Sequence, residues 1–150
     1  MFTRRSFLIA SASVPLAAAA MPAFAATPPV YAEDGIAING YDPVAYFTEK
    51  KPVEGNAAFS ADHEGATFLF ASEANRDAFI ADTATYAPQY GGYCAYAVSR
   101  GYTATTSPNA WSVHEGKLYL NFNRAVRTLW SRDIPGNVAK GDANWPGVLA

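Results

Sequence analysis

The stretch His63-Glu64-Gly65-Ala66-Thr67-Phe68-Leu69-Phe70-Ala71-Ser72-Glu73-Ala74-Asn75-Arg76-Asp77-Ala78-Phe79-Ile80-Ala81-Asp82 has a counterpart 51 residues later. The counterpart, aligned without a gap, is His114-Glu115-Gly116-Lys117-Leu118-Tyr119-Leu120-Asn121-Phe122-Asn123-Arg124-Ala125-Val126-Arg127-Thr128-Leu129-Trp130-Ser131-Arg132-Asp133. Seven of the twenty positions are identical, and Phe68/Tyr119, Ser72/Asn123 and Phe79/Trp130 are chemically matched. Self-similarity of this kind reads as an internal repeat of one supersecondary unit. In each copy an extended run (residues 58–62 and 110–113) leads into a Glu-Gly turn. An aromatic-rich strand (67–71 and 118–122) follows and completes a β-hairpin. Ser72 and Asn123 then stand where a helix needs an oxygen to accept a free amide of its first turn. Phe79 and Ile80 in one copy, and Val126, Leu129 and Trp130 in the other, supply the buried stripe. A hairpin and one helix cannot cover their own apolar face, whereas two copies packed together can. The expected fold is α+β: a small antiparallel sheet built from two pseudo-repeated hairpin–helix units, packed with short helices.

Outside the repeat, residues 26–35 are proline-rich and polar and read as a lead-in, which leaves 36–150 as one domain. Ile36-Ala37-Ile38 reads as a brief strand closed by the Asn39-Gly40 turn signal. Tyr41-Asp42-Pro43-Val44 sets a carboxylate before a proline, the pattern that caps a short helix whose first residue lacks an amide hydrogen. Between the copies lies Tyr86-Ala87-Pro88-Gln89-Tyr90-Gly91-Gly92-Tyr93-Cys94-Ala95-Tyr96-Ala97-Val98-Ser99, with four tyrosines, a glycine pair and the only cysteine. Gly91-Gly92 permits backbone angles, or a close approach, that a side chain would block. The tail from Asp133 reads as one more short helix ending before Pro146.

The amino terminus is an address. Thr3-Arg4-Arg5-Ser6-Phe7-Leu8 precedes an Ala/Ser-rich apolar run, and Ala23-Phe24-Ala25 supplies the small-x-small pattern that a signal peptidase reads. Paired arginines before Phe-Leu resemble a twin-arginine signal. Ser11, Ser13 and Pro15 interrupt the apolar run, which makes it a poor spanning helix. Residues 1–25 are therefore expected to be a signal cut near Ala25/Ala26, with a periplasmic product and no permanent membrane anchor. The chain has 11 basic and 13 acidic residues, a net charge of −2, which removes a basic surface for nucleic acid. Loss of Arg4 and Arg5 makes the product more acidic still. Loss of Met1 and Met21 leaves Cys94 as its one sulfur. A lone cysteine makes no internal disulfide and no four-thiolate zinc cage.

Tyr41-Asp42-Pro43-Val44, the hairpin from His63 to Phe70, the run from Ala71 to Phe79 and Tyr86-Ala87-Pro88 resemble the YHS domain. With Tyr90-Gly91-Gly92-Tyr93-Cys94-Ala95 and Asn144-Trp145-Pro146, the chain from about residue 34 to 149 is similar to exported bacterial YHS domain-containing (seleno)proteins. The resemblance implies metal handling, copper transport especially, through cysteines after Asp-Pro-Val and at the strand-to-helix junction. Here Ala45, Ala71 and Asn75 stand at those places, so that ligand set does not carry over. The selenium position of the family matches Cys94, which implies a chemically active residue there.

Three readings follow. The first is a domain binding a transition metal, copper before zinc, through Cys94 with His63 and/or His114, since a thiolate and imidazoles suit those ions. The second is thiol-redox chemistry at Cys94 with a periplasmic protein partner, because no second cysteine is present to resolve an intermediate. The third is a non-catalytic ligand- or protein-binding module in which Cys94 is structural and tyrosines recognise the ligand. Tyr41, Asp42, Tyr90, Gly91, Gly92 and Tyr93 complete the candidate site residues. Neither a Ser-His-Asp order, a phosphate loop nor a dinucleotide fingerprint occurs, and the chain is not expected to be an enzyme by itself.

Overall fold

The computed structural model describes residues 26–150 and, of those before them, Ser13 alone. The expected signal sequence thus lies, but for that serine, outside the described residues. Among the described residues no helix is long and apolar enough to cross a membrane.

The chain is α+β with two sheets. Strands β1 (Ala32–Glu33), β2 (Ile36–Ala37), β3 (Asn56–His63) and β4 (Ala66–Phe70) form one sheet in the order β1-β2-β4-β3. Strands β5 (Trp111–His114) and β6 (Lys117–Leu120) form a separate hairpin. The helices are α1 (Ala45–Thr48), α2 (Glu73–Ala81), α3 (Thr83–Tyr86), α4 (Ala95–Ser99), α5 (Arg124–Ser131) and α6 (Ile134–Asn144).

The repeat survives in three dimensions, except that Ile80 and Leu129, expected in the buried stripe, are exposed. Both hairpins turn at Glu-Gly with both residues left-handed: φ is 48° and 84° at Glu64-Gly65, and 50° and 74° at Glu115-Gly116. Two successive positive φ values match the right-handed twist of the flanking strands, the usual reason for a two-residue hairpin loop of this hand. Ser72 Oγ accepts from the Asn75 amide at 3.1 Å, and Asn123 Oδ1 accepts from the Val126 amide at 2.8 Å. The last shared residue repeats its role as well, since Asp82 caps α3 and Asp133 caps α6. Inside, Phe68 meets Phe79 with ring centroids 5.0 Å apart, and their counterparts Tyr119 and Trp130 meet at the same 5.0 Å. These rings are buried, and truncating one to alanine is expected to cost about 3–5 kcal/mol.

Two expectations need correction. The main sheet is mixed, not antiparallel throughout, because β2 runs parallel to β4 through Ile36 and Thr67. The cause is local: Ile38, Asn39 and Gly40 all have positive φ and turn the chain out of the sheet into the α1 crossover, where a hairpin would have returned it beside β2. The two hairpins also stay in separate sheets. Residues 26–35, moreover, are part of the domain. Val30 and Tyr31 are buried, β1 pairs antiparallel with β2, and the Thr27 amide donates to the Leu149 carbonyl at 3.0 Å. Proline-rich composition concealed two apolar residues with a place in the core.

The matched arginines Arg76 and Arg127 find different partners. Arg76 lies 3.3 Å from Asp77 and 3.4 Å from Glu73, whereas Arg127 donates through Nε to Ser112 Oγ at 2.9 Å.

Candidate functional site

Asp42 is a structural carboxylate. It is fully buried, and four amides meet its charge: Val44 N at 2.8 Å and Ala45 N at 3.3 Å on Oδ1, Ala71 N at 2.8 Å and Asn75 Nδ2 at 2.7 Å on Oδ2. The cap expected for α1 is therefore also a clamp that ties α1 to the β4–α2 junction. A buried carboxylate satisfied by so many donors has no lone pair left for a ligand. Tyr41 lines a separate recess with Pro52 and Ser107.

The tyrosine-rich segment is pinned by its glycines. Tyr90, Gly91 and Gly92 have φ of 57°, 61° and 85° in succession. A Cβ on Gly91 would collide with the carbonyl oxygen of Pro29, and one on Gly92 with Cγ2 of Ile38. The chain from 28 to 31 lies directly on this turn: the Tyr31 amide donates to the Gly91 carbonyl at 2.9 Å, and the Tyr93 hydroxyl to the Pro28 carbonyl at 2.8 Å. Tyr90 adopts the left-handed region without being glycine, and tertiary contacts hold it there. Its ring packs against Tyr119 and Trp145, and its hydroxyl donates to Asp142 Oδ1 at 2.9 Å. Burial, reinforced by that hydrogen bond, pushes its ionisation far above the usual phenol range. Burial also raises Tyr93 and Tyr119, and it lifts Tyr31, helped by Glu33, to about 12. These hydroxyls are thus donors that keep their protons.

Cys94 is 1% exposed. Its sulfur accepts from the Phe122 amide at 3.3 Å and faces Asn121 Oδ1 at 3.5 Å, while Asn121 Oδ1 also accepts the Tyr96 amide at 3.0 Å. Asn121 occupies the repeat position that Phe70 fills in the first copy. The departure has a purpose: the first turn of α4 takes its cap from Asn121, since the Cys94 side chain makes no capping bond. Sequence reasoning missed Asn121, although a polar residue in place of a core phenylalanine was the available signal.

The histidines stand at equivalent places on two different hairpins. His63 packs its ring near Phe68 and Phe79, with centroids 6.1 and 6.0 Å away, and its Nε2 is 4.0 Å from Glu64 Oε2. His114 Nε2 is 3.9 Å from Glu115 Oε1. A copper or zinc ion needs its ligands within about 2.0–2.3 Å of one point. Among the described residues no three or more His, Cys, Asp or Glu side chains are gathered to hold one. The three-ligand centre of Cys94, His63 and His114 is therefore not gathered in this fold, where His63 and His114 stand on hairpins of separate sheets.

What the fold does assemble is a cleft of about 290 Å³. The first hairpin supplies His63, Glu64 and Phe68, the segment between the copies supplies Tyr90 and Gly91, and the chain's end supplies Asp142 and Trp145. Of the sequence-derived candidates it unites His63, Tyr90 and Gly91 and leaves Cys94 and His114 outside. Glu64, Asp142 and Trp145 were not foreseen as site residues. Compared with known protein families, with curated proteins and with solved structures, the chain matches none.

Proposed function

We propose that this chain is a non-catalytic binding module that takes a small ligand in the cleft between the first hairpin and α6, with Cys94 as a structural thiol. The observation that carries the reading is the cleft itself: three distant parts of the chain converge on a concave surface bearing both aromatic and hydrogen-bonding groups, the usual make-up of a small-molecule site. The thiol, by contrast, is enclosed and already has polar neighbours. A metal role would require Cys94 to part from Asn121 and Phe122 and a histidine to reach it, and no observation favours that arrangement. Thiol-redox exchange with a protein partner meets the same obstacle of burial. The YHS resemblance belongs to this proposal through Tyr41-Asp42-Pro43-Val44 and Tyr90-Gly91-Gly92-Tyr93-Cys94-Ala95. So does export by residues 1–25 to the periplasm, where a compact acidic module would meet small solutes.

Amide-resolved NMR of the domain against small fragments of varied charge tests the reading. Fragments are expected to shift the Gly91 amide, the Trp145 indole and the His63 ring. Shifts centred on Cys94, Asn121 and Phe122, or an absence of shifts at the cleft, would overturn it.

A further inference from the structure

We infer that the ligand of this cleft is a small organic cation, an amine carried on an apolar or aromatic body; this rests on the reading of the cleft as the binding site. Among the described residues, two carboxylates, Glu64 and Asp142, line the cleft, and no lysine or arginine does. They come from distant parts of the chain, one from the hairpin turn and the other from α6. An anion entering would meet two like charges, and a cation would be attracted by both. The Tyr90 hydroxyl holds Asp142 Oδ1 at 2.9 Å and so fixes the carboxylate's orientation before any ligand arrives. Trp145 and the ring of Tyr90 lie 5.9 Å apart at that same wall, and aromatic faces beside carboxylates are suited to an alkylammonium group. A bare metal ion is the poorer match, because His63, Glu64 and Asp142 are not gathered round one point. An extended cation, with its charge toward the carboxylates and its carbon skeleton toward Phe68 and Val30, matches both the acidic and the apolar lining.

Three probes of one shape separate the possibilities: 2-phenylethylamine, 2-phenylethanol and phenylacetate, titrated by calorimetry, with their sites mapped by NMR. The amine is expected to bind about tenfold more tightly than the alcohol and to lose affinity as ionic strength rises. Glu64→Gln and Asp142→Asn are each expected to weaken the amine about three- to tenfold and the alcohol by less. The second substitution keeps an acceptor for Tyr90, so the wall stays in place. If the alcohol or the carboxylate binds in the cleft as tightly as the amine, the inference about charge is overturned while the site stands. If all three probes shift residues elsewhere, the site itself is overturned.

Discussion

The amide of Phe122 donates to the sulfur of Cys94 at 3.3 Å, which makes the thiol an acceptor within the fold and a bridge from the start of α4 to the β6–α5 junction. Cys94 is 1% exposed, so a reagent reaches it only when that region opens. Alkylation in the native protein is expected to be slower than in the unfolded chain by at least about a hundredfold, and to track stability as denaturant is added. Cys94→Ala is expected to lower stability by about 1–3 kcal/mol, read from denaturant unfolding. Fast native alkylation would show a thiol poised for chemistry.

Asn121 bears the polar load of the same region. Asn121→Ala removes the acceptor for the Tyr96 amide and the neighbour of the Cys94 sulfur, at an expected loss of about 2–3 kcal/mol. Hydrogen exchange at the Tyr96 amide is expected to accelerate more than exchange in α5. Unchanged protection at Tyr96 would show that α4 does not depend on this cap.

Gly91 is the position where the lead-in touches the turn. Gly91→Ala places a methyl group against the Pro29 carbonyl at a φ of 61°, and should destabilise by about 3 kcal/mol. Limited proteolysis is expected to open the chain first around residues 26–31. Wild-type resistance there would contradict the packing described.

The alkaline limb of stability has a definite sign. Tyr31, Tyr46, Tyr90, Tyr93 and Tyr119 are all raised from 10.0, with burial the leading cause and Tyr31 reaching about 12. Above pH 10 the unfolded chain releases these protons while the folded one keeps them. Their contribution is complete below pH 10 and is lost as pH rises through the interval up to the native values. Stability is therefore expected to fall steadily above pH 10, with phenolate absorbance from these five rising at higher pH in the folded protein than in the unfolded chain. Their ionisation near pH 10 in a still-folded protein would refute the burial assigned to them.

Much of the local structure was legible because its causes are local. Glu-Gly turns, the Ser72 and Asn123 caps and the Asp42 cap each rest on residues within a few positions of one another, and all are present. The pairing of β2 with β4 was not legible, since it follows from three left-handed residues of which Ile38 gives no warning. The site was read from chemistry-bearing residues, so Cys94 and the histidines drew the eye. Their fates diverged once the hairpins parted: His63 lines the cleft, His114 remains on the other hairpin, and Cys94 is enclosed by Asn121. Asp142 and Trp145 reach the cleft only through the packing of α6 against Tyr90, a contact across about fifty residues that no spacing reveals.

The central claim is that binding belongs to the cleft and not to the thiol, and calorimetric titration of 2-phenylethylamine into two variants tests it most directly. Ala84→Phe adds bulk at an exposed cleft residue on α3, and Cys94→Ala removes the sulfur. The expected result is a loss of affinity of about tenfold or more for Ala84→Phe, with Cys94→Ala, still folded, binding as the wild type does. Undiminished binding in Ala84→Phe together with lost binding in folded Cys94→Ala would contradict the claim.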